Sequence, residues 1–478
     1  MRHLGMLGML GGAACELEID GDGLGGDELA QARSGLVAEH GGRLGLPVPS
    51  SAAAILAAQG TLAVQLARRR GLPLTGVRTS VLNGALVFLS HRLPIATAAA
   101  PPTDPELTAA GPPFATADGA WAEIEVLRFG EWVRLWTELG VRDAPLDAAW
   151  SSFALRYLTG RCPLAPELHA ATRRRSLDEL RAVAAPLGVV VARLRTKAEV
   201  DAADYDPAPW SFARTGRHSP RATAAGDLPL AGLRVVEVAT RLQGPLAGLL
   251  LRQLGADVVK VEPPGGDPGR TGTSPFGRAA YLAYNRSKEV VELDLKATTG
   301  RAALRELAGS AEVFLHNSRP GRAEQSGYGA AELTAVNPGL VYAHASGWGD
   351  AADAPSEIAG DYVVQAHAAC GESLRLPGEP PFPSRVTLVD VTGGLLACEG
   401  ILAALLWREQ DGHGRIVRTS LLAAALELQR QAPTAPRPYS GQACTDLRAL
   451  PHDPLVAPLL EQIDECMWAP AAPWRFRS

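Results

Sequence analysis

From residue 230 onward the apolar and polar positions follow two alternating periods. Leu233-Arg-Val-Val-Glu-Val-Ala239 is an apolar run of strand length, a helical stretch from about 244 to 254 follows, and Ala256-Asp-Val-Val-Lys-Val-Glu262 is apolar again. Further strands are predicted at 290–293, 311–315 and 340–345, with helical spacing between them. Short apolar strands alternating with helices predict an α/β domain built on a parallel, doubly wound sheet with both faces covered. Upstream, residues 119–196 begin with the alternation Ala120-Trp-Ala-Glu-Ile-Glu-Val126, continue at helical spacing and close on Val189-Val-Val-Ala-Arg-Leu194, which predicts a smaller α+β unit. Its last helix carries the capping box Ser176-Leu-Asp-Glu179 and stops near Pro186 and Gly188.

The chain also repeats itself. Shifted by 340 positions without gaps, residues 60–86 fall on 400–426: Val77-Arg-Thr-Ser80 returns as Val417-Arg-Thr-Ser420, and Leu62, Ala63, Leu66, Arg68, Leu82 and Ala85 recur in register. A second echo sets Ala208-Pro-Trp-Ser-Phe212 against Ala472-Pro-Trp-Arg-Phe476. Two matches in the same order indicate a tandem duplication with losses. Pro/Ala/Gly-rich breaks at 98–113, 215–229 and 431–440 read as linkers.

With 478 residues, 46% of them hydrophobic, the chain exceeds one ordinary core and predicts two or three domains. A net charge of −5 provides no basic field, so nucleic acid is not an expected partner; the triplets Arg68-Arg69-Arg70 and Arg173-Arg174-Arg175 read as solvated helix faces. The six cysteines are scattered, without a Cys-x-x-Cys pair or metal-like spacing, which predicts reduced thiols, a cytoplasmic location and no metal site. The glycine-broken start, 1–15, is rejected as a lipoprotein leader, and no run of about 18 apolar residues is read as a membrane span. The first turn of the predicted sheet, Gln243-Gly-Pro-Leu-Ala-Gly248, lacks the Gly-x-Gly-x-x-Gly pattern, which disfavours a nicotinamide or flavin enzyme.

In Arg385-Val-Thr-Leu-Val-Asp-Val-Thr-Gly-Gly394 a lone carboxylate, Asp390, follows an apolar strand-like run and precedes a Gly-Gly helix start. Held at a strand end by backbone N–H groups, such a carboxylate can act as a nucleophile on a thioester carbonyl. The same local pattern also fits a helix N-cap aspartate. Under the 340-residue shift Asp390 falls on Ser50, so the first copy has no carboxylate there.

Leu230-Ala-Gly-Leu-Arg-Val-Val-Glu-Val-Ala239, Leu254-Gly-Ala-Asp-Val-Val-Lys-Val-Glu262, Asn285-Arg-Ser-Lys288, Glu292-Leu-Asp-Leu-Lys296, Asn337-Pro-Gly-Leu-Val-Tyr342, Asp361-Tyr-Val-Val-Gln-Ala366, Val389-Asp-Val-Thr-Gly393 and Gly412-His-Gly414 together resemble, in order, the family III CoA-transferases, also called the CaiB/BaiF family. The resemblance implies a Rossmann-like large domain with a smaller α+β domain. It further implies a transferase moving CoA from an acyl-CoA to a carboxylic acid through an aspartyl anhydride and then an aspartyl-CoA thioester, with Asp390 as nucleophile and Gln243 and Asp361 completing the catalytic set. On the residues alone, Gln243 fits a polar helix-cap contact equally well. No cofactor is implied as a resident group; coenzyme A is part of the substrate. It would lie along Glu262, Leu293, Lys296 and Asn317, at the carboxyl ends of the strands. Where the family has CoA-contacting arginines this chain has Pro263-Pro264 and Gln325, so Arg319 and Arg322 are the alternative phosphate contacts, unless they are ordinary surface arginines. The family's glycine loop finds only a weak counterpart in Gly111-Pro-Pro113.

The order of parts departs from the family pattern of large domain, long helix, small domain and return segment. Here it reads as a large-domain remnant (1–51), a long-helix copy (52–97), the small domain (114–200), a return segment and linker (201–227), the large domain with its long helix (228–430), and a second return segment (431–478). One active site built across both halves is expected, and the resemblance implies a homodimer. Two alternatives stand beside the transferase. One is a racemase of the same fold, whose histidine would sit where this chain has Gly360, with His367 six residues after Asp361. The other is a non-catalytic CoA-binding relic.

Overall fold

A computed structural model describes residues 15–20, 26–99, 111–142, 144–206, 208–217, 226–272, 274–379, 384, 386–430 and 437–478. The predicted linkers lie largely outside these residues, as does nearly all of the glycine-broken start.

The main sheet has seven strands in the spatial order Glu289–Glu292, Asp257–Glu262, Arg234–Val238, Val313–His316, Val341–Ser346, His413–Ser420 and Ser211–Arg217. The first six are parallel, and each predicted strand is present within two or three residues of its expected limits. The apolar runs of the inner strands are buried because helices cover both faces, as a parallel sheet requires, while Val290 and Val291 on the edge strand are half-buried. Numbered along the chain, those six strands stand in the order 3-2-1-4-5-6, which reverses direction between Arg234–Val238 and Val313–His316. Ligands bind such sheets in the crevice at that reversal, outside the carboxyl ends of the strands. Inside the sheet, the buried Glu237 accepts from the ammonium groups of Lys260 at 3.3 Å and Lys288 at 2.7 Å, joining the first strand to the second and to the chain leading into the third.

The small domain is a three-stranded antiparallel sheet, Phe114–Ala115, Trp121–Glu125 and Val190–Arg193, with helices packed around Trp132, Trp136, Phe153 and Leu168 as a core of its own. The predicted capping box at Ser176 and Glu179 is formed in both directions.

The repeat is built into the packing. The long helices Val48–Arg69 and Leu388–Asp411 start at equivalent positions and lie against each other, and the first begins four residues before the expected 52. Each return segment pairs with the other copy. Ser211–Arg217 runs antiparallel to His413–Ser420 with Phe212 opposite Val417, and Arg475–Arg477 runs antiparallel to Gly76–Ser80 with Phe476 opposite Val77. The Trp210 indole N–H donates to the Leu396 carbonyl at 2.7 Å, and that of Trp474 to the equivalent Leu56 carbonyl at 2.8 Å. Both indoles pass over a glycine: a Cβ on Gly60 would come within 2.9 Å of Trp474, and one on Gly400 within 2.8 Å of Trp210, so close approach demands glycine in both copies. Ser80 and Ser420 cap the following helices alike, each hydroxyl accepting at 3.0 Å from the N–H three residues on.

Two sequence readings change. Both long helices are apolar enough over an 18-residue window to pass for membrane spans, contrary to the expectation that no such run exists, yet these windows are 89% and 94% buried as core of the fold. The apolar residues before Asp390 are not a strand either: Leu388 and Val389 already belong to the helix, so Asp390 sits in its first turn.

Candidate active site

Asp390 opens on a cavity of about 590 Å³ whose walls come from three parts of the chain. His91 comes from the remnant copy, Glu125 to Leu158 from the small domain, and Thr240 to Asn285 together with Gly360, Asp361, Thr387 and Asp390 from the large domain.

The first turn of the helix Leu388–Asp411 is capped from outside. Thr387, at the cap position, makes no capping bond, and its buried hydroxyl, on the cavity wall, has no hydrogen-bond partner. Instead the carboxylate of buried Asp361, first residue of the helix Asp361–His367, accepts from the N–H of Val389 at 2.8 Å and of Asp390 at 2.7 Å. Its other oxygen accepts from Gln365 Nε2 at 2.5 Å, and Gln365 in turn donates to the Val386 carbonyl at 3.2 Å and accepts from the Ser384 N–H at 3.0 Å. Asp361 therefore does the capping that the local pattern offered to Asp390. The Asp390 carboxylate is left without a hydrogen bond among the described residues and only partly covered.

The remnant copy keeps this brace without the nucleophile. Asp27 accepts from the Ser50 N–H at 2.7 Å and from Gln31 Nε2 at 2.7 Å, and Gln31 donates to the Leu46 carbonyl at 3.2 Å. Asp27, Gln31 and Ser50 thus occupy the places of Asp361, Gln365 and Asp390.

Enclosure pushes the Asp390 carboxyl up to about 7; the Arg241 guanidinium opposes this and Glu125 adds to it. Burial, and then the charge of Asp390, raise Asp361 as well, so the two carboxyls titrate as a pair. Arg241 follows the first strand in a left-handed conformation, φ 62°, which costs a non-glycine residue roughly 1–3 kcal/mol and is tolerated where surrounding structure enforces it. It is the one guanidinium among the described residues that line the cavity. His91 Nδ1 lies 2.8 Å from the Tyr284 hydroxyl, and burial pushes its imidazole down to about 3, so it is neutral at pH 7. On the small-domain side Glu125 accepts from Arg156 at 2.9 Å and from the Tyr157 hydroxyl. Arg156 also donates at 2.9 Å to buried Glu123, whose carboxyl burial pushes up to about 7 against the pull of that arginine.

Residues 20–216, and again 230–447, match CoA-transferase family III. The chain belongs to that family. Among relatives of this family III chain, the "Probable fatty acyl-CoA transferase Rv3272" of Mycobacterium tuberculosis is 36% identical over 206 residues, 42% of this chain and 52% of the relative. The acetyl-CoA:oxalate CoA-transferase of Acetobacter aceti is 35% identical over 210 residues, covering 43% and 54%. A solved CAIB/BAIF family protein from Brucella suis is 32% identical, with 42% of this chain and 55% of that one covered and a TM-score of 0.40. The chain spans about half the length of the curated relatives it matches.

Of the site residues expected in this family III chain, Asp390 and Asp361 meet at the cavity. Gln243 does not line it. It is the first residue of the helix Gln243–Gln253, is buried against Gly393 one turn past the nucleophile position, and its amide reaches the Ser346 carbonyl at 3.5 Å. Glu262 is occupied internally, accepting from the Asp267 N–H, Arg270 Nε and the Tyr281 hydroxyl at 2.7 to 2.9 Å. Asn317 ties the two loops at the sheet reversal by donating to the Thr240 carbonyl at 2.8 Å and accepting from its N–H at 3.0 Å. The Leu293 N–H donates to the Glu262 carbonyl, and Lys296, Arg319 and Arg322 are exposed beyond the strand ends. Gly111 packs on the Cys162 carbonyl and is not part of the cavity wall. Arg241, His91, Glu125, Tyr157 and Thr387 were missed from sequence; only Arg241, two residues before Gln243 in the first βα turn, carried a positional signal.

Proposed function

We propose that the protein is a CoA-transferase that uses Asp390 as its nucleophile. An Asp390 oxygen attacks the thioester carbonyl and the C–S bond breaks with its electron pair on sulfur, giving an aspartyl anhydride and CoA thiolate. The thiolate then attacks the aspartyl carbonyl and releases the first acid, and the acceptor carboxylate reverses both steps to leave as the new thioester. What carries this reading is the position of Asp390: a carboxylate in a cavity, its oxygens free of hydrogen bonds among the described residues, and fixed through its own backbone N–H by Asp361. Arg241 favours the ionised form that attacks, and the unpartnered Thr387 hydroxyl is a candidate donor to the thioester oxygen. Lys296, Arg319 and Arg322 are the cations proposed for the CoA phosphates, while Glu262 and Asn317 brace the loops beneath. Coenzyme A thus enters as substrate, and no resident cofactor is proposed.

The cavity needs the remnant copy, the small domain and the large domain of a single chain, so a monomer is proposed to be catalytically complete. The internal pairing of the two copies would supply the contact for which a homodimer was expected. Free thiols at all six cysteines accord with the proposed cytoplasmic location. The racemase reading is weaker on geometry. A Cβ at Gly360 would lie 2.6 Å from the Tyr157 hydroxyl, leaving no room for histidine, and His367 is hydrogen-bonded to Tyr205 at 2.8 Å and does not line the cavity. An acyl-CoA mixed with a free acid, with the product thioester read by mass, tests the proposal. Transfer is expected from the wild type and on the order of 10³-fold less from Asp390→Asn; deuterium washed into the α-carbon without any acceptor would favour the racemase instead.

A further inference from the structure

The lining of the cavity points to its acyl substrate. We propose that Asp390 accepts an uncharged, apolar acyl chain of medium length, and that thioesters bearing a second carboxylate are poor donors. The proposal rests on the transferase reading of Asp390. The small-domain wall is apolar throughout one face: Val126, Leu127, Trp150, Phe153, Ala154 and Leu158. It is also stiff, because the Phe153 and Trp150 rings stand 4.6 and 5.9 Å from that of fully buried Trp132 in the small-domain core. Leu127 is 40% exposed, so part of a large apolar side chain at this wall is open to solvent or ligand.

The charges give the second half of the argument. Among the described residues the carboxyl groups of Glu125, Asp267, Asp361 and Asp390 line the cavity, against one guanidinium, Arg241, which already acts on Asp390. Arg156 is shared between Glu123 and Glu125, and the neutral His91 adds no charge. A free carboxylate at the far end of an acyl group would lie among acidic groups with no second cation among the described lining residues to meet it. Methylenes gain from the same wall, by roughly fourfold in kcat/KM for each one removed from water. The volume, about 590 Å³, falls in the range that holds drug-sized ligands, enough for the thioester end of the CoA arm together with an acyl chain. Formation of the anhydride changes no oxidation state and needs no further reactant.

The test is a donor series from acetyl-CoA to decanoyl-CoA, with succinyl-CoA and glutaryl-CoA alongside, read as kcat/KM and as acyl mass gained on Asp390. The expected result is a rise of roughly fourfold per methylene before a plateau, with succinyl-CoA at least about tenfold below hexanoyl-CoA. Ala154→Phe, on an exposed helix position within the wall, is expected to shorten the preferred chain, and Ala154→Arg to raise succinyl-CoA relative to hexanoyl-CoA. A flat series, or succinyl-CoA equal to or better than hexanoyl-CoA, would overturn this proposal while leaving the transferase in place. Failure of every thioester to modify Asp390 would overturn both.

Discussion

Replacing Asp390 by asparagine is expected to stabilise the fold at high pH and to leave it nearly unchanged at low pH. The carboxyl is raised from its ordinary 3.8 to about 7, chiefly by enclosure. The folded protein therefore holds this proton to a higher pH than the unfolded chain does. Stability that is fully present below about pH 4 is lost as the pH rises through about 7. Roughly three pH units at about 1.4 kcal/mol each set an upper bound of about 4 kcal/mol on the destabilisation by the ionised group. The open cavity and the exposed Arg241 screen that charge, which reduces the expected effect to about 1–3 kcal/mol. Asparagine keeps the shape and never ionises. Thermal unfolding of both proteins at pH 4, pH 5 and pH 8.5, at one ionic strength, should show nearly equal midpoints at pH 4, a small advantage of the variant at pH 5 and an advantage of a few degrees at pH 8.5. A difference that does not change with pH, or a variant less stable than wild type at pH 8.5, would refute the argument that the fold holds its nucleophile in a costly ionised state.

Two further predictions address the same framework. Arg241→Gln removes the main influence that favours ionised Asp390, so the acid limb of the pH profile for acyl labelling should move above its wild-type position near pH 7; an unmoved limb would remove Arg241 from the site. Trp210→Phe and Trp474→Phe each remove the indole donor that adds a second hydrogen bond to a helix carbonyl, of Leu396 or Leu56, and each should cost about 0.5–1.5 kcal/mol in chemical denaturation, with similar values for the two if the copies are structurally equivalent.

The sheet was legible because its strands are apolar runs bounded by helices, so Leu233 to Ala239 and Ala256 to Glu262 could be read almost to the residue. The duplication was legible where the copies keep one offset. It was not legible at the brace, because Asp27 and Asp361 lie 334 apart while Ser50 and Asp390 lie 340 apart, and an ungapped comparison passes over them. The stretch Val386 to Val389 was misread as a strand since four residues are too few to separate the two periods, and β-branched valines suit either. Gln243 was legible as a position and not as a contact: its amide packs beside Gly393, between two helices. The site itself gathers His91, Tyr157 and Arg241 from segments with no mutual signal in the sequence, and nothing in the helical spacing of Trp150, Phe153 and Ala154 separates a cavity wall from ordinary core. Only tertiary packing makes that distinction.

The central claim is that Asp390 is the single covalent nucleophile of the chain. Incubation with acyl-CoA, trapping with borohydride or hydroxylamine and peptide mass analysis test it most directly. The account predicts one modified residue per chain, at Asp390, with none at Ser50 and none in Asp390→Asn; an unmodified Asp390 across a broad set of thioesters, or modification that survives in the variant, would contradict it.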